Sequence, residues 1–132
     1  MSHLVETTTN FTSEKYILSA LQKMGVNMSL VSTSSQKQHL TDYYGRKSNR
    51  QANIIVQKRG IPGSHSDVGF ELMEDGKYRV HKDSMDGNRW MNKLTQSYSH
   101  SVVEDQLENQ GFSLNKIETE GQELVLNFTR WK

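Results

Sequence analysis

Cysteine is absent from the 132 residues. That removes disulfides, thiolate nucleophiles, iron–sulfur clusters and zinc ribbons together. Long apolar runs are absent too. Nothing approaches the ~20 residues needed to span a bilayer, and the first residues, Met1 to Glu6, show no basic region followed by an apolar stretch. The expectation is a soluble, intracellular protein with no membrane association, in which the sequons at Asn10, Asn27 and Asn127 carry no glycan. Net charge is also small, +1, which argues against bulk electrostatic attraction to nucleic acid but leaves room for a local basic patch. The single proline, Pro62, lies between Gly60 and Gly63 and marks a break rather than a regular element.

What is present fits one domain spanning residues 1–132. A hydrophobic fraction of 33% and a mean hydropathy of −0.77 describe a small core under a polar surface. Val- and Thr-rich residues 3–10 read as a strand. Ile17, Leu21 and Met24 then recur at helical spacing, with Thr12 or Ser13 placed to cap the N-terminus and Gly25 to end the helix in the left-handed region. Val26, Met28 and Leu30 alternate and predict a strand leaving the helix directly. The polar stretch 32–51 predicts a loop or a ragged edge strand, and Ala52, Ile54 and Val56 resume a strand. Val68, Phe70 and Leu72, then Asp75-Gly76, then Tyr78 and Val80 predict a hairpin with a type I′ turn.

Residues 89–112 form the longest run with helical spacing. Trp90, Met91, Leu94, Tyr98 and Val102 share one side, while Val103 and Leu107 fall nearly opposite. Either two short helices meet near Ser99-His100-Ser101 or one helix packs on two sides. The serines favour a joint, because their hydroxyls compete for backbone hydrogen bonds. Phe112 and Leu114 begin a strand, Gly121 marks a turn, and Leu124, Leu126 and Phe128 alternate toward Arg130-Trp131-Lys132. The order strand, helix, glycine, strand occurs at 3–30 and again at 78–116. Two such halves predict an α+β, ferredoxin-like sandwich: a mainly antiparallel sheet, two principal helices on one face and an extra hairpin.

Several stretches also resemble a known family. Lys93-Leu94-Thr95-Gln96-Ser97-Tyr98-Ser99-His100-Ser101-Val102-Val103-Glu104 with Gln110-Gly111-Phe112 resembles the signature "LTQRYAYHKVLEE…QGF" of the hypothetical chloroplast reading frame thirty-five family. Met1-Ser2-His3-Leu4, Ala52-Asn53-Ile54-Ile55-Val56, Ser66-Asp67-Val68-Gly69-Phe70 and Leu124 to Trp131 resemble its other motifs in the same order. Ser97 and Ser99 depart from its usual Arg and Ala, and Asp83-Ser84-Met85-Asp86 replaces a Trp-rich segment, as would suit a divergent, phage-borne member. The resemblance implies a plastid or cyanobacterial domain of unknown function, in the cytoplasm or the plastid stroma. Genes of that family often sit near one for an AAA+-type ATPase. This implies an accessory role with that ATPase as a candidate partner.

No catalytic set is legible. The five histidines, His3, His39, His65, His81 and His100, form no HxH, HxxxH or HExxH pair, so no metal site and no cofactor is expected from spacing. Tyr98 with His100 is a candidate polar site, against the plainer reading of a packed tyrosine and a histidine bonded to a carbonyl. Glu104 and Glu108 stand i, i+4 and on an exposed face would only repel weakly. Tyr43, Tyr44, Arg46, Lys47, Arg50, Lys58 and Arg59 form the most usable functional signal: cations can meet phosphate while tyrosines stack on bases. Solvated loop charge is the plainer account. The leading expectation is a small non-catalytic accessory protein working through protein–protein contacts, which include self-association. A nucleic-acid-binding module using residues 43–59 is the alternative, and an enzyme ranks last.

Overall fold

Alternating apolar residues between turn signals become strands, and four of them run as a meander. The computed structural model describes residues 4–120 and 123–130, with the side chains of 113–126 excepted. The expectations for His3, for a turn at Gly121 and for Trp131 lie outside the described residues. The chain divides into two compact units, one holding the described residues up to Glu14 with Val26–Asn88, the other Lys15–Gly25 with the described residues from Arg89 onward.

The first unit is a five-stranded sheet: β1 (Leu4–Thr8), β2 (Val31–Thr41), β3 (Lys47–Val56), β4 (Val68–Leu72) and β5 (Tyr78–Asp83), in the order β1-β5-β4-β3-β2. Every neighbouring pair is antiparallel. Register places Val80, Phe70 and Ile54 in one row across the middle strands, and all three are fully buried. Burying side chains of this size stabilises by roughly 1.5–3 kcal/mol each. The adjacent row holds Glu6, His81, Gly69 and Ile55. Cross-strand partners share a face and neighbouring rows alternate, so this second row lies on the opposite face.

The polar stretch is therefore an edge strand, not a loop. β2 is the last strand in the order, and its register with β3 slips between Thr33 and Gln38 and again between His39 and Thr41. A strand expected at Val26–Leu30 is instead a single 3-10 turn at Met28–Leu30. Asn27 causes the change: its side-chain oxygen accepts from the Ser29 amide at 3.0 Å and from the Ser29 hydroxyl at 2.8 Å. These local bonds compete with a sheet ladder.

Both hairpins close in one way. Asp42 N donates to Arg46 O at 2.9 Å and Gly45 N to Asp42 O at 3.0 Å; Met73 N donates to Lys77 O at 2.9 Å and Gly76 N to Met73 O at 3.0 Å. Gly45 and Gly76 have φ of 76° and 82°, while no non-glycine among the described residues has positive φ. That is a type I turn followed by a glycine bulge. It corrects the type I′ turn expected at Asp75-Gly76, which would need Asp75 in the left-handed region as well.

The second unit holds α1 (Glu14–Lys23), α2 (Arg89–Asn109) and an antiparallel ribbon of β6 (Phe112–Glu120) and β7 (Glu123–Arg130). α2 is one continuous helix of 21 residues, so the expected joint at Ser99-His100-Ser101 is corrected. The reason lies in where the serine hydroxyl goes. Ser101 Oγ bonds the Ser97 carbonyl oxygen at 2.9 Å and the Ser19 hydroxyl on α1 at 3.0 Å, so it joins two helices instead of breaking one. Val103, expected to begin a second apolar side, stays exposed. Glu104 pairs with Lys23 at 2.5 Å instead of repelling Glu108. The α+β class and the antiparallel sheet are as expected. The ferredoxin-like strand order is not seen, because β6 pairs with β7 in a separate sheet and leaves the second expected half outside the five strands.

Candidate functional site

The β2–β3 turn sets two tyrosines side by side. Asp42 Oδ1 accepts from the amides of Tyr44 and Arg46, each at 2.9 Å, which fixes the turn and leaves both rings outside it. Tyr43 and Tyr44 meet edge to face, centroids 5.0 Å apart, and both are exposed. The Arg46 guanidinium lies 4.8 Å from the centre of the Tyr44 ring, and Lys58 Nζ 5.2 Å from that of Tyr43. Each cation is attracted to the negative face of its ring. On the Tyr43 side the His65 ring follows at 5.8 Å and 32°.

Asp67 ties the connection after β3 to this turn. Its Oδ2 accepts from Thr41 N at 2.9 Å, its Oδ1 from Lys58 N at 3.1 Å, and its own amide donates to Thr41 O at 3.2 Å. Asp67 thus spends both carboxylate oxygens on backbone amides, whereas Asp42 Oδ2 lies 3.6 Å from Arg46 Nε in an ion pair. Beside the turn runs an open groove of about 950 Å³. Its lining includes Ser32, Thr33 and Thr41 of β2, Asn53 and Ile55 of β3, and Lys58, Arg59 and Ser64 of the connection that follows.

Of the basic and aromatic residues singled out in the sequence, the structure brings together Tyr43, Tyr44, Arg46 and Lys58. Arg59 lines the groove, with Nε bonded to Gln57 Oε1 at 3.3 Å. Lys47 is exposed opposite Thr41 at the foot of the hairpin. Arg50 is engaged elsewhere: Nη1 lies 3.9 Å from Glu6 Oε2 and Nη2 3.5 Å from Leu4 O. Tyr98 and His100 do not form a joint site. Two positions on an α-helix are ~200° apart, so the residues leave α2 on different sides. Tyr98 packs edge-on against Tyr16, centroids 5.9 Å apart. Burial, and secondarily the Lys23 ammonium, holds the His100 imidazole below its ordinary pKa.

Two clusters carry no mark in sequence spacing, because strand register and a loop assemble them. On the sheet, His81 Nε2 donates to Glu71 Oε1 at 2.8 Å and Lys37 Nζ to Glu71 Oε2 at 2.9 Å, while Arg79 bonds Glu6 at 2.7 Å. Burial alone would raise the Glu71 carboxyl; the hydrogen bonds from Lys37 and His81 outweigh it and hold the group below the usual carboxylate value. The second cluster is His65, Asp83 and Asp86, where the 64–66 loop meets the end of β5. A search for cross-strand partners of each histidine would have found the first. The second depends on loop closure, which spacing does not report.

A family model described as "Protein of unknown function (DUF1257)" matches residues 20–125. No curated protein and no solved structure matches the chain.

Proposed function

The chain belongs to that family of proteins of unknown function, and we propose that it is a non-catalytic accessory protein that docks an extended acidic segment of a protein partner along β2. One observation carries this reading. An edge strand of 11 residues ends in two exposed tyrosines flanked by Arg46 and Lys58, with an open groove alongside. An edge strand offers unpaired backbone groups to an added strand, and the alternate side chains of that strand then find pockets or charges. Tyrosine and arginine are the residue types that most often carry the energy of a protein interface. Lys47, Lys58 and Arg59 give the surface its sign and favour carboxylates on the incoming segment. An AAA+-type ATPase and a second copy of the chain are the partner classes first to be tried.

The alternative is single-stranded nucleic acid, favoured by the same cations and rings. It is the weaker reading, because base stacking needs free ring faces and here Arg46 and Lys58 already lie against the tyrosines. Fluorescence anisotropy separates the two. One probe is a labelled peptide of alternating glutamate and valine matching the 11 residues of β2, the other an oligothymidylate of equal length. The expected result is saturable peptide binding that Tyr44→Ala with Arg46→Glu weakens by at least about tenfold, the effect of losing one interface hot spot. Tighter binding of the oligothymidylate, lost in the same variant and steeply salt-dependent, would decide for nucleic acid.

A further inference from the structure

Asp83 is 1% exposed, yet only one of its carboxylate oxygens is bonded. Oδ1 accepts from the Met85 amide at 2.8 Å, and the buried Oδ2 has no hydrogen-bond partner among the described residues. A buried carboxylate oxygen without a donor is costly, and each such group calls for an explanation, an ion among them. Two further donors stand close. His65, Asp83 and Asp86 each offer one ligand atom, and these atoms all lie within 4.8 Å of one another. His65 Nδ1 is 2.5 Å from Asp86 Oδ1, whose carboxylate also accepts from His65 N and Ser64 Oγ, each at 3.2 Å.

We propose that His65, Asp83 and Asp86 form a binding site for one divalent transition-metal ion of the zinc or manganese type. One imidazole nitrogen and two carboxylates suit such ions better than calcium or magnesium, which take oxygen ligands. Zinc holds nitrogen and oxygen ligands at roughly 2.0–2.2 Å in a tetrahedron, which sets ligand atoms ~3.4 Å apart. The cluster has to close to that spacing, with the His65–Asp86 contact opening to admit the ion. The Ser64 hydroxyl and the His65 amide then act as the outer hydrogen bonds that orient Asp86. Lys82 Nζ is bonded to the Asp86 carbonyl oxygen at 2.8 Å, which sets an ammonium beside the cluster. It opposes a metal electrostatically and so limits affinity.

The other three-residue group, Glu6, Glu71 and His81, is the poorer candidate. Its carboxylates already face Arg50, Arg79 and Lys37.

The test is calorimetric titration of the full chain with zinc chloride, manganese chloride and calcium chloride in turn, with cobalt(II) visible absorption as the second readout. The expected result is saturable binding of one zinc or manganese ion per chain, weaker binding of calcium, and a cobalt spectrum with nitrogen and oxygen ligands. Asp83→Asn keeps the oxygen that accepts from Met85 and removes the ligand charge. It and His65→Ala should each weaken zinc binding at least about tenfold, as loss of a ligand does, with the far-UV circular dichroism unchanged. If Asp83→Asn does not fold, His65→Ala and the cobalt spectrum decide. Absence of saturable binding, or affinity unchanged in folded His65→Ala, would overturn the proposal.

Discussion

His100 shows how one residue's surroundings become a measurable property. Burial first, and Lys23 second, favour its neutral form, so its folded pKa lies below the ordinary 6.5. The unfolded chain therefore takes up the proton first as pH falls. Stability is full above the unfolded value and declines as pH drops through about 6.5 toward the folded value. We expect the urea midpoint to fall between about pH 7.5 and about pH 5.5, and His100→Gln to reduce that fall. A variant with the same pH slope as the parent would mean that His100 does not titrate differently on folding. Ser101 is a second case. It is 4% exposed and bonded to α1, so the site suits a small side chain. Ser101→Leu should cost roughly 1–3 kcal/mol in denaturant unfolding through overpacking, and a neutral result would place Ser101 outside a packed contact.

At the scale of elements, Gly69 on β4 has the clearest reason to be what it is. A Cβ there would lie 2.7 Å from Ala52 Cβ and 2.9 Å from both terminal carbons of Leu40. Leu40 and Ala52 belong to one buried cluster with Leu4 and Ile55, so the neighbours cannot simply retreat. Gly69→Ala is expected to destabilise by about 1–3 kcal/mol, whereas Gly87→Ala, with nothing within 4 Å, is expected to be near neutral. Equal effects in thermal unfolding would contradict this packing. Much of the element order was legible because the signals were local. The Ile17–Leu21 spacing marked α1, the 68–72 and 78–83 alternation marked β4 and β5, and glycines marked helix ends. What was not legible was decided at a distance. β2 carries mostly polar side chains, with Leu40 its one buried residue, so its strand character comes from pairing with β3 rather than from an apolar stripe. Ser101 of α2 marked a weak point in the sequence, and Ser19 of α1 supplies its hydroxyl with a partner. For the candidate site, Tyr43, Tyr44, Arg46 and Lys58 were recognisable as residue types, but their convergence depends on the Asp42 turn and the Asp67 bonds. His65, Asp83 and Asp86 meet only through loop closure.

For the molecule as a whole, no helix among the described residues is long and apolar enough to cross a membrane. The cations beside the β2–β3 turn are the feature from which a partner can be reasoned. Asp42 Oδ2 lies 3.6 Å from Arg46 Nε, so the cations that give the surface its sign are Lys47, Lys58 and Arg59. The sheet also ends in β2, whose outer backbone edge pairs with no strand among the described residues. The surface and the edge together support the proposed mode of binding: an added strand with acidic side chains, anchored at its end by tyrosines. Backbone amide hydrogen exchange of the chain with and without the glutamate–valine peptide tests this most directly. The account predicts that peptide slows exchange at β2 amides and shifts the signals of Tyr43, Tyr44 and Arg46, and that Tyr44→Ala with Arg46→Glu abolishes both effects. Unchanged β2 exchange under saturating peptide, or protection elsewhere that ignores those substitutions, would contradict it.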